Sequence, residues 1–365
     1  MRKIGVIGAG NGGHAIAGHL GLSGFKVWIY DIDVKRIGAI QERGNITLKG
    51  EETGSTSRIH ATIYLEEAVK NSEIIMIVTP ANAHERIARE MAPYLEDGQI
   101  IVLNPGYFLG ALCFSYELKK MGCEKEIVVG DTESLIYACR SEKPGEVYIS
   151  GTKKNLYVAT FPGKKIDILM DKMNSIYPQF RPAKNILETA FGNVNPILHT
   201  AIALLNAGSI ESQRDFLFYY DGATPSIGKF EEKLDQERLA VANHFGIGAR
   251  SIKKLLEEFY EVTGDTLYDV IIKNPAYSSI RAPKNLQTRL ITEDVPMGLV
   301  PMASAAEKFG INAPLHRLLI DLASALVNVD YWNQGRTMDK LGLGHMDAFQ
   351  IQRYLNEGVF HAGAS

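Results

Sequence analysis

Ile4-Gly5-Val6-Ile7-Gly8-Ala9-Gly10-Asn11-Gly12-Gly13-His14-Ala15 opens this chain, and its reading decides the fold of everything up to the middle of the sequence. A short apolar, β-branched run reads as a buried strand. Glycines at 8, 10 and 13 follow in GxGxxG spacing, the stretch to Leu22 reads as a helix, and a second apolar run, Val27-Trp28-Ile29-Tyr30, ends at Asp31. Strand, glycine turn, helix and second strand make the βαβ unit that cradles a dinucleotide pyrophosphate. In that frame Gly8 permits the tight turn, Gly10 lets the backbone approach the phosphates, and Gly13 lets the helix pack on the strand. Asn11 and Gly12 stand in the first helical turn, whose free N–H groups favour an anion.

Asp31 at the second strand end can accept hydrogen bonds from the adenosine ribose and would repel a 2′-phosphate, so NAD is the expected cofactor. A carboxylate there can equally cap the next turn. Lys35 and Arg36 just beyond it can neutralise a 2′-phosphate, with Arg36 stacking on adenine, which leaves NADP open. Further apolar runs at 74–78, 100–103 and 127–129 alternate with helix-like segments at 12–22 and 84–95. That alternation gives an α/β, doubly wound, mostly parallel sheet. The strand ends Val78-Thr79-Pro80-Ala81-Asn82 and Leu103-Asn104-Pro105-Gly106 are expected to line the same crevice, with Thr79, Pro80, Asn104 and Pro105 near the nicotinamide end, although Pro turns also serve purely structural ends.

The chain has 365 residues, of which 45% are hydrophobic, enough for two domains each burying a core. A formal charge of -3 offers nothing for nucleic acid or an anionic membrane to exploit, which favours small-molecule substrates. Cys113, Cys123 and Cys139 lack CxxC spacing and fit neither a disulfide framework nor a zinc site. His84-Glu85-Arg86-Ile87-Ala88 misses HExxH at its fifth position, and no metal site is expected. No run approaches a membrane span, and the N-terminal apolar run stops short of a signal-peptide core. A cytoplasmic protein with reduced thiols is the expectation, with residues 361–365 frayed.

After about residue 160 the strand signal fades through Pro162, Pro178 and Pro182 and helical periodicity takes over. A Rossmann-type domain over 1–185 and an all-helical domain over 186–365 are therefore expected. Ile252, Leu255, Leu256 and Phe259 share one helical face, and so do Leu315, Leu318, Leu319 and Leu322 behind Pro314. Apolar faces of this half can pack internally or across a two-fold, so a homodimer stays open. Asn193-Val194-Asn195-Pro196-Ile197-Leu198-His199-Thr200 opens a helix that puts His199 four residues after Asn195 on one face. A histidine among apolar neighbours is more often a core residue than a catalyst. Thr292-Glu293-Asp294 before Val295-Pro296 reads as a helix entry, where acids suit the macrodipole. Arg289 by itself reads as a solvated cation.

Across nearly its whole length the chain resembles the octopine/nopaline, or opine, dehydrogenases, which pair a Rossmann domain with a helical one. The resemblance rests on 8–15, the Asn104-Pro105-Gly106 turn, Asp131-Thr132-Glu133 through Tyr137-Ala138-Cys139-Arg140, the Asn195-to-His199 segment and Thr292-to-Pro296. It implies that His199 is the acid/base, Asp294 its carboxylate partner and Arg289 the residue that holds a keto-acid carboxylate. It also implies substrates: an amino acid whose amine condenses with a 2-oxo acid, commonly pyruvate, the imine being reduced by NAD(P)H. Asn195 and Asn206 are carried as substrate-binding candidates, and Tyr219, Tyr220 and Asp221 as possible wall residues. The rivals are a 2-oxoacid or glycerol-3-phosphate type dehydrogenase and a non-catalytic NAD sensor. The first would need a lysine where none occurs between Lys184 and Lys229. The second would need neither His199 nor Asp294.

Overall fold

The structure, a computed structural model, describes residues 2–359. The expectation of frayed ends at 361–365 lies outside them. Among the described residues twelve strands run, in chain order, β1 Lys3–Ile7, β2 Lys26–Tyr30, β3 Ile46–Gly50, β4 Gly54–Thr56, β5 Ile59–Thr62, β6 Ile74–Ile77, β7 Ile100–Leu103, β8 Val128–Thr132, β9 Tyr137–Lys143, β10 Glu146–Thr152, β11 Leu156–Phe161 and β12 Phe180–Pro182. The chain divides into two compact units. One runs to Thr189 and takes back Leu355–Gly358; the other spans Ala190–Tyr354.

In the first unit an eight-stranded sheet has the order β12-β11-β8-β7-β6-β1-β2-β5. Its six central strands, β8 to β5, are all parallel, and β11 joins antiparallel to β8. Counting only those six, the order reverses between β1 and β6, the switch point beyond which dinucleotide crevices open. β6 and β7 are buried at every residue, as continuous apolar runs in a two-sided parallel sheet must be.

A second, four-stranded sheet, β4-β3-β10-β9, was not visible as apolar runs. Its strands alternate instead: Val147, Ile149 and Gly151 of β10 are buried while Tyr148 faces solvent. One face of this sheet covers the helix Asn11–Leu22, which also packs on β1 and β2. Buried from both sides, that helix carries small or apolar residues nearly all round. The fading of strand signal past residue 160 is also corrected, because β12 adds a parallel strand at Phe180–Pro182.

Among the described residues the second unit is helical apart from a single bridge, Leu217 to Arg281, outside the named strands. Ser251 caps Ile252–Tyr260, whose Ile252, Leu255, Leu256 and Phe259 are all buried as expected. In Pro314–Val327 the buried stripe is His316, Leu319, Ile320 and Ala323, and Leu318 is 52% exposed. Glu237 causes the one-residue rotation: it accepts from the N–H of Leu315 and His316 and bonds His316 Nδ1 at 2.7 Å, drawing that edge inward. No helix among the described residues is long and apolar enough to cross a membrane.

Two buried charges in the helix Pro225–His244 behave oppositely. Arg238, 1% exposed, has its guanidinium fully engaged: Nε bonds Asp235 at 2.8 Å, one terminal nitrogen reaches Phe191 O and the other Arg250 O at 2.6 Å. Glu231, 0% exposed, finds no donor for either carboxyl oxygen among the described residues. Burial therefore pushes its pKa well above the usual carboxylate range, with Glu232 adding to the shift. The folded protein then keeps a proton that the unfolded chain releases, so stability falls as pH rises above the ordinary Glu value. Glu231→Gln needs no proton on folding, so it is expected to stabilise relative to wild type by about 1.4 kcal/mol for each pH unit above the ordinary Glu value while the folded carboxyl stays protonated, and to do little at about pH 4, where the carboxyl is largely protonated in both states. Thermal unfolding at that pH and at neutral pH checks this; equal shifts at both would contradict it.

Candidate active site

The glycine turn has the geometry its sequence requires. Gly8 has φ +106°, and a Cβ on Gly13 would lie 1.8 Å from Gly8 O, so only glycine allows helix and strand to approach. Around Gly10 nothing stands within 4 Å of an added Cβ. No side chain caps the helix that follows, leaving its first-turn N–H groups for an anion. Asn11 Oδ1 accepts the N–H of Ser141 in β9, and Gly12 packs against Leu135 and Val78.

Asp31 is tied into this turn more closely than a ribose contact alone requires. Its Oδ2 accepts Ala9 N–H at 2.7 Å and Arg36 at 3.2 Å, and its Oδ1 accepts Asp33 N–H at 3.0 Å. Capping of the next helix falls to Asp33, which accepts from Lys35 and Arg36. Arg36 pairs with both carboxylates, at 3.2 Å to Asp31 and 3.5 Å to Asp33. At the end of β6, Thr79 packs on Gly8, and Thr79 Oγ1 is a buried oxygen without a partner among the described residues; Pro80 begins the next turn. At the end of β7, Asn104 spends Nδ2 on Val102 O and Ile77 O, leaving Oδ1 without a partner among the described residues before Pro105. An uncapped helix start, the open space at Gly10 and two orphaned oxygens at adjacent strand ends fit a dinucleotide.

Sequence reasoning missed His14. Its Nδ1 faces Gly10 O at 2.9 Å and its Nε2 accepts Gly145 N–H at 3.0 Å, which fixes the tautomer with the proton on Nδ1. Burial lowers its pKa, keeping the ring neutral. It fastens the glycine turn to the β9–β10 hairpin. The signal was a histidine inside a small-residue helix start.

In the second unit, Asn195–Leu205 is a helix with Pro196 in its first turn. His199 Nδ1 lies 2.8 Å from Asp294 Oδ2, with side chains 8% and 0% exposed. Ninety-five residues of sequence separate the pair, and a π-helical turn, Val295–Leu299, brings them together. A Cβ on Gly298 would meet Pro196 Cγ at 2.1 Å, so this glycine lets the turn close on the helix. Thr200 Oγ1 adds a bond to Leu290 O. The helix entry expected at Thr292-Glu293-Asp294 is present, with Asp294 at the N-cap position of Val295–Leu299, but Thr292 ends the short helix Arg289–Thr292 and Asp294 makes no capping bond to the turn it precedes. Its carboxylate is turned to the imidazole instead.

Asn195 lies one helical turn before His199, and Arg289 lies five residues before Asp294, more than half exposed and 3.7 Å from Glu293. Asn206 sits at the far end of the helix with both Nδ2 hydrogens taken by Ile202 O and Gly222 O. Of the other wall candidates, Tyr220 bonds Asn274 O and Asp221 accepts Leu217 N–H, both local structure. Tyr219 and its neighbour Phe218 flank His199, each 6.4 Å away between ring centroids.

Comparison with known proteins agrees with both halves. A family model for the NAD/NADP octopine/nopaline dehydrogenase alpha-helical domain matches residues 182–327. One for the NAD-dependent glycerol-3-phosphate dehydrogenase N-terminus matches 3–106. An opine dehydrogenase of Arthrobacter sp. (strain 1C) is 39% identical over 350 residues, 95% of this chain and 97% of that one. Octopine dehydrogenase of Pecten maximus is 26% identical, with 93% of each chain covered. Two solved structures share the fold: octopine dehydrogenase with NADH and L-arginine, TM-score 0.77 at 23% identity over 100% of both chains, and NADP+-bound yersinopine dehydrogenase, TM-score 0.73 at 15% identity over 98% of each. The glycerol-3-phosphate likeness is thus confined to the first part of the chain, and this protein belongs to the opine dehydrogenase family, as an NAD(P)-dependent oxidoreductase acting on the CH–NH group of its donors.

Proposed function

We propose that this enzyme condenses the amine of an L-amino acid with a 2-oxo acid, pyruvate in the first instance, and reduces the imine to a secondary-amine dicarboxylate. The observation that carries this reading is the buried His199–Asp294 pair. Asp294 accepts the Nδ1 proton, which holds the imidazole in one tautomer and leaves Nε2 to exchange protons with substrate. Amine and ketone must lose water before a C=N bond exists. His199 takes a proton from the amine as it adds and returns one to the departing hydroxyl, and Asp294 stabilises the imidazolium formed between those steps. Arg289 is the candidate to hold the oxo-acid carboxylate, and Asn195 shares the face of His199. The bound nicotinamide supplies the hydride. Pyruvate alone should oxidise NADH slowly, and addition of the right amino acid should raise the rate sharply. Equal rates with and without every amine would favour a hydroxyacid dehydrogenase.

For the cofactor, the proposal is NADH ahead of NADPH. Gly8, Gly10, Asn11, Gly12 and Gly13 would hold the pyrophosphate, Thr79, Pro80, Asn104 and Pro105 the nicotinamide half, and Asp31 and Arg36 the adenosine. Asp31 and Asp33 already engage Arg36, so a 2′-phosphate would meet the Asp31 carboxylate and an arginine that is already paired. Asp31→Asn keeps the shape and removes one charge; it is expected to shift the NADH:NADPH ratio of kcat/KM toward NADPH by about tenfold, a difference of about 1.4 kcal/mol. An unchanged ratio would show that discrimination lies elsewhere.

A further inference from the structure

Tyr219 is held more rigidly than a wall residue needs. Its ring stacks on Tyr277 at 4.0 Å and 14°, and Phe218 meets it edge-on at 5.0 Å and 81°. Tyr260 in turn packs edge-on against Tyr277. The side chain is 5% exposed, yet its hydroxyl has no hydrogen-bond partner among the described residues and is not one of the sealed polar atoms. A buried phenol ordinarily finds a partner. This one is clamped by aromatic rings beside His199 with its polar end free, within electrostatic reach of Arg289 and Asp294.

We propose that the Tyr219 hydroxyl is a substrate-binding donor which, with Arg289, grips the carboxylate of the 2-oxo acid. Burial, with Tyr277 next, keeps the phenol pKa well above its ordinary value, so the hydroxyl stays protonated at working pH. A protonated hydroxyl within electrostatic reach of a guanidinium suits a planar anion. It would fix the orientation of the oxo acid relative to His199 as well as its affinity. This assignment rests on the proposed function, but its test does not depend on turnover.

Tyr219→Phe keeps the ring stack and removes only the hydroxyl. Binding of pyruvate, and of pyruvamide as its uncharged counterpart, to the enzyme–NADH complex can be followed by quenching of NADH fluorescence. The variant should bind pyruvate about 10- to 100-fold more weakly, the loss that follows removal of a hydrogen bond to a charged group. Pyruvamide binding, NADH affinity and the melting temperature should stay close to wild type. In turnover the loss should fall on the KM for pyruvate more than on kcat. Equal weakening for pyruvate and pyruvamide, or none for either, would overturn the role. Amine-dependent NADH oxidation by the wild type is read separately, so failure of the imine-reducing reading leaves the carboxylate result standing by itself.

Discussion

His199→Ala is expected to lower kcat by about a hundredfold or more, the range for a lost acid/base group, with NADH affinity unchanged. The two halves of that expectation have separate origins. The turn from Gly8 to Gly13, proposed above to hold NADH, belongs to the first unit, and His199 belongs to the second. The contribution proposed for it is proton transfer: Nδ1 lies 2.8 Å from Asp294 Oδ2, which leaves Nε2 for chemistry. A structural histidine would predict a different pattern. Its loss would lower the melting temperature and activity together, and a volume-matched His199→Gln would restore both. The proton-transfer account expects His199→Gln to fold normally and remain slow. Steady-state kinetics beside fluorescence titration of NADH and thermal unfolding distinguish the two. Wild-type turnover in either variant would remove His199 from the mechanism.

Arg238→Met is expected to cost about 3–5 kcal/mol in stability, the penalty for breaking a buried ion pair from one side. Without the guanidinium, Asp235 keeps only the Ile252 N–H as a partner, and the carbonyls of Phe191 and Arg250 are left without their donor. The consequence reaches the active helix, because Phe191 lies four residues before Asn195. Replacing both members, Arg238→Met with Asp235→Leu, removes the stranded charge and should recover part of the loss. Denaturant midpoints of the single and double variants measure it. A shift below about 1 kcal/mol for Arg238→Met would place this pair with weak surface pairs.

The parallel sheet was legible because strands buried on both faces must be apolar without interruption, and 4–7, 74–77 and 100–103 are so. β3 and β10 were not, since strands with one exposed face mix Thr47, Lys49 and Tyr148 among their apolar residues. The helix from Asn195 was legible from Pro196 and its spacing. Its partner Asp294 came only through family resemblance, because no local pattern reports a π-helical turn closing on Pro196 through Gly298. Periodicity placed Leu318 inside, and Glu237, far away in sequence, turned the helix to bury His316. Tyr219 sits in a turn at 218–222 where there is no period to read. The division of roles between Asp31 and Asp33 is likewise invisible in sequence, since either acid could cap, and only the Ala9 N–H bond separates them.

On the proposed function, the hydride of NADH goes to a C=N carbon formed from two substrates. Supplying NADH deuterated at the transferred position, with pyruvate and the amino acid that best raises the rate, tests it directly by mass spectrometry of the products. One deuterium is expected in a secondary amine equal in composition to the amino acid plus pyruvate, less water, plus the transferred hydride and a proton. Deuterium appearing in lactate, with the amino acid recovered unchanged, would contradict it.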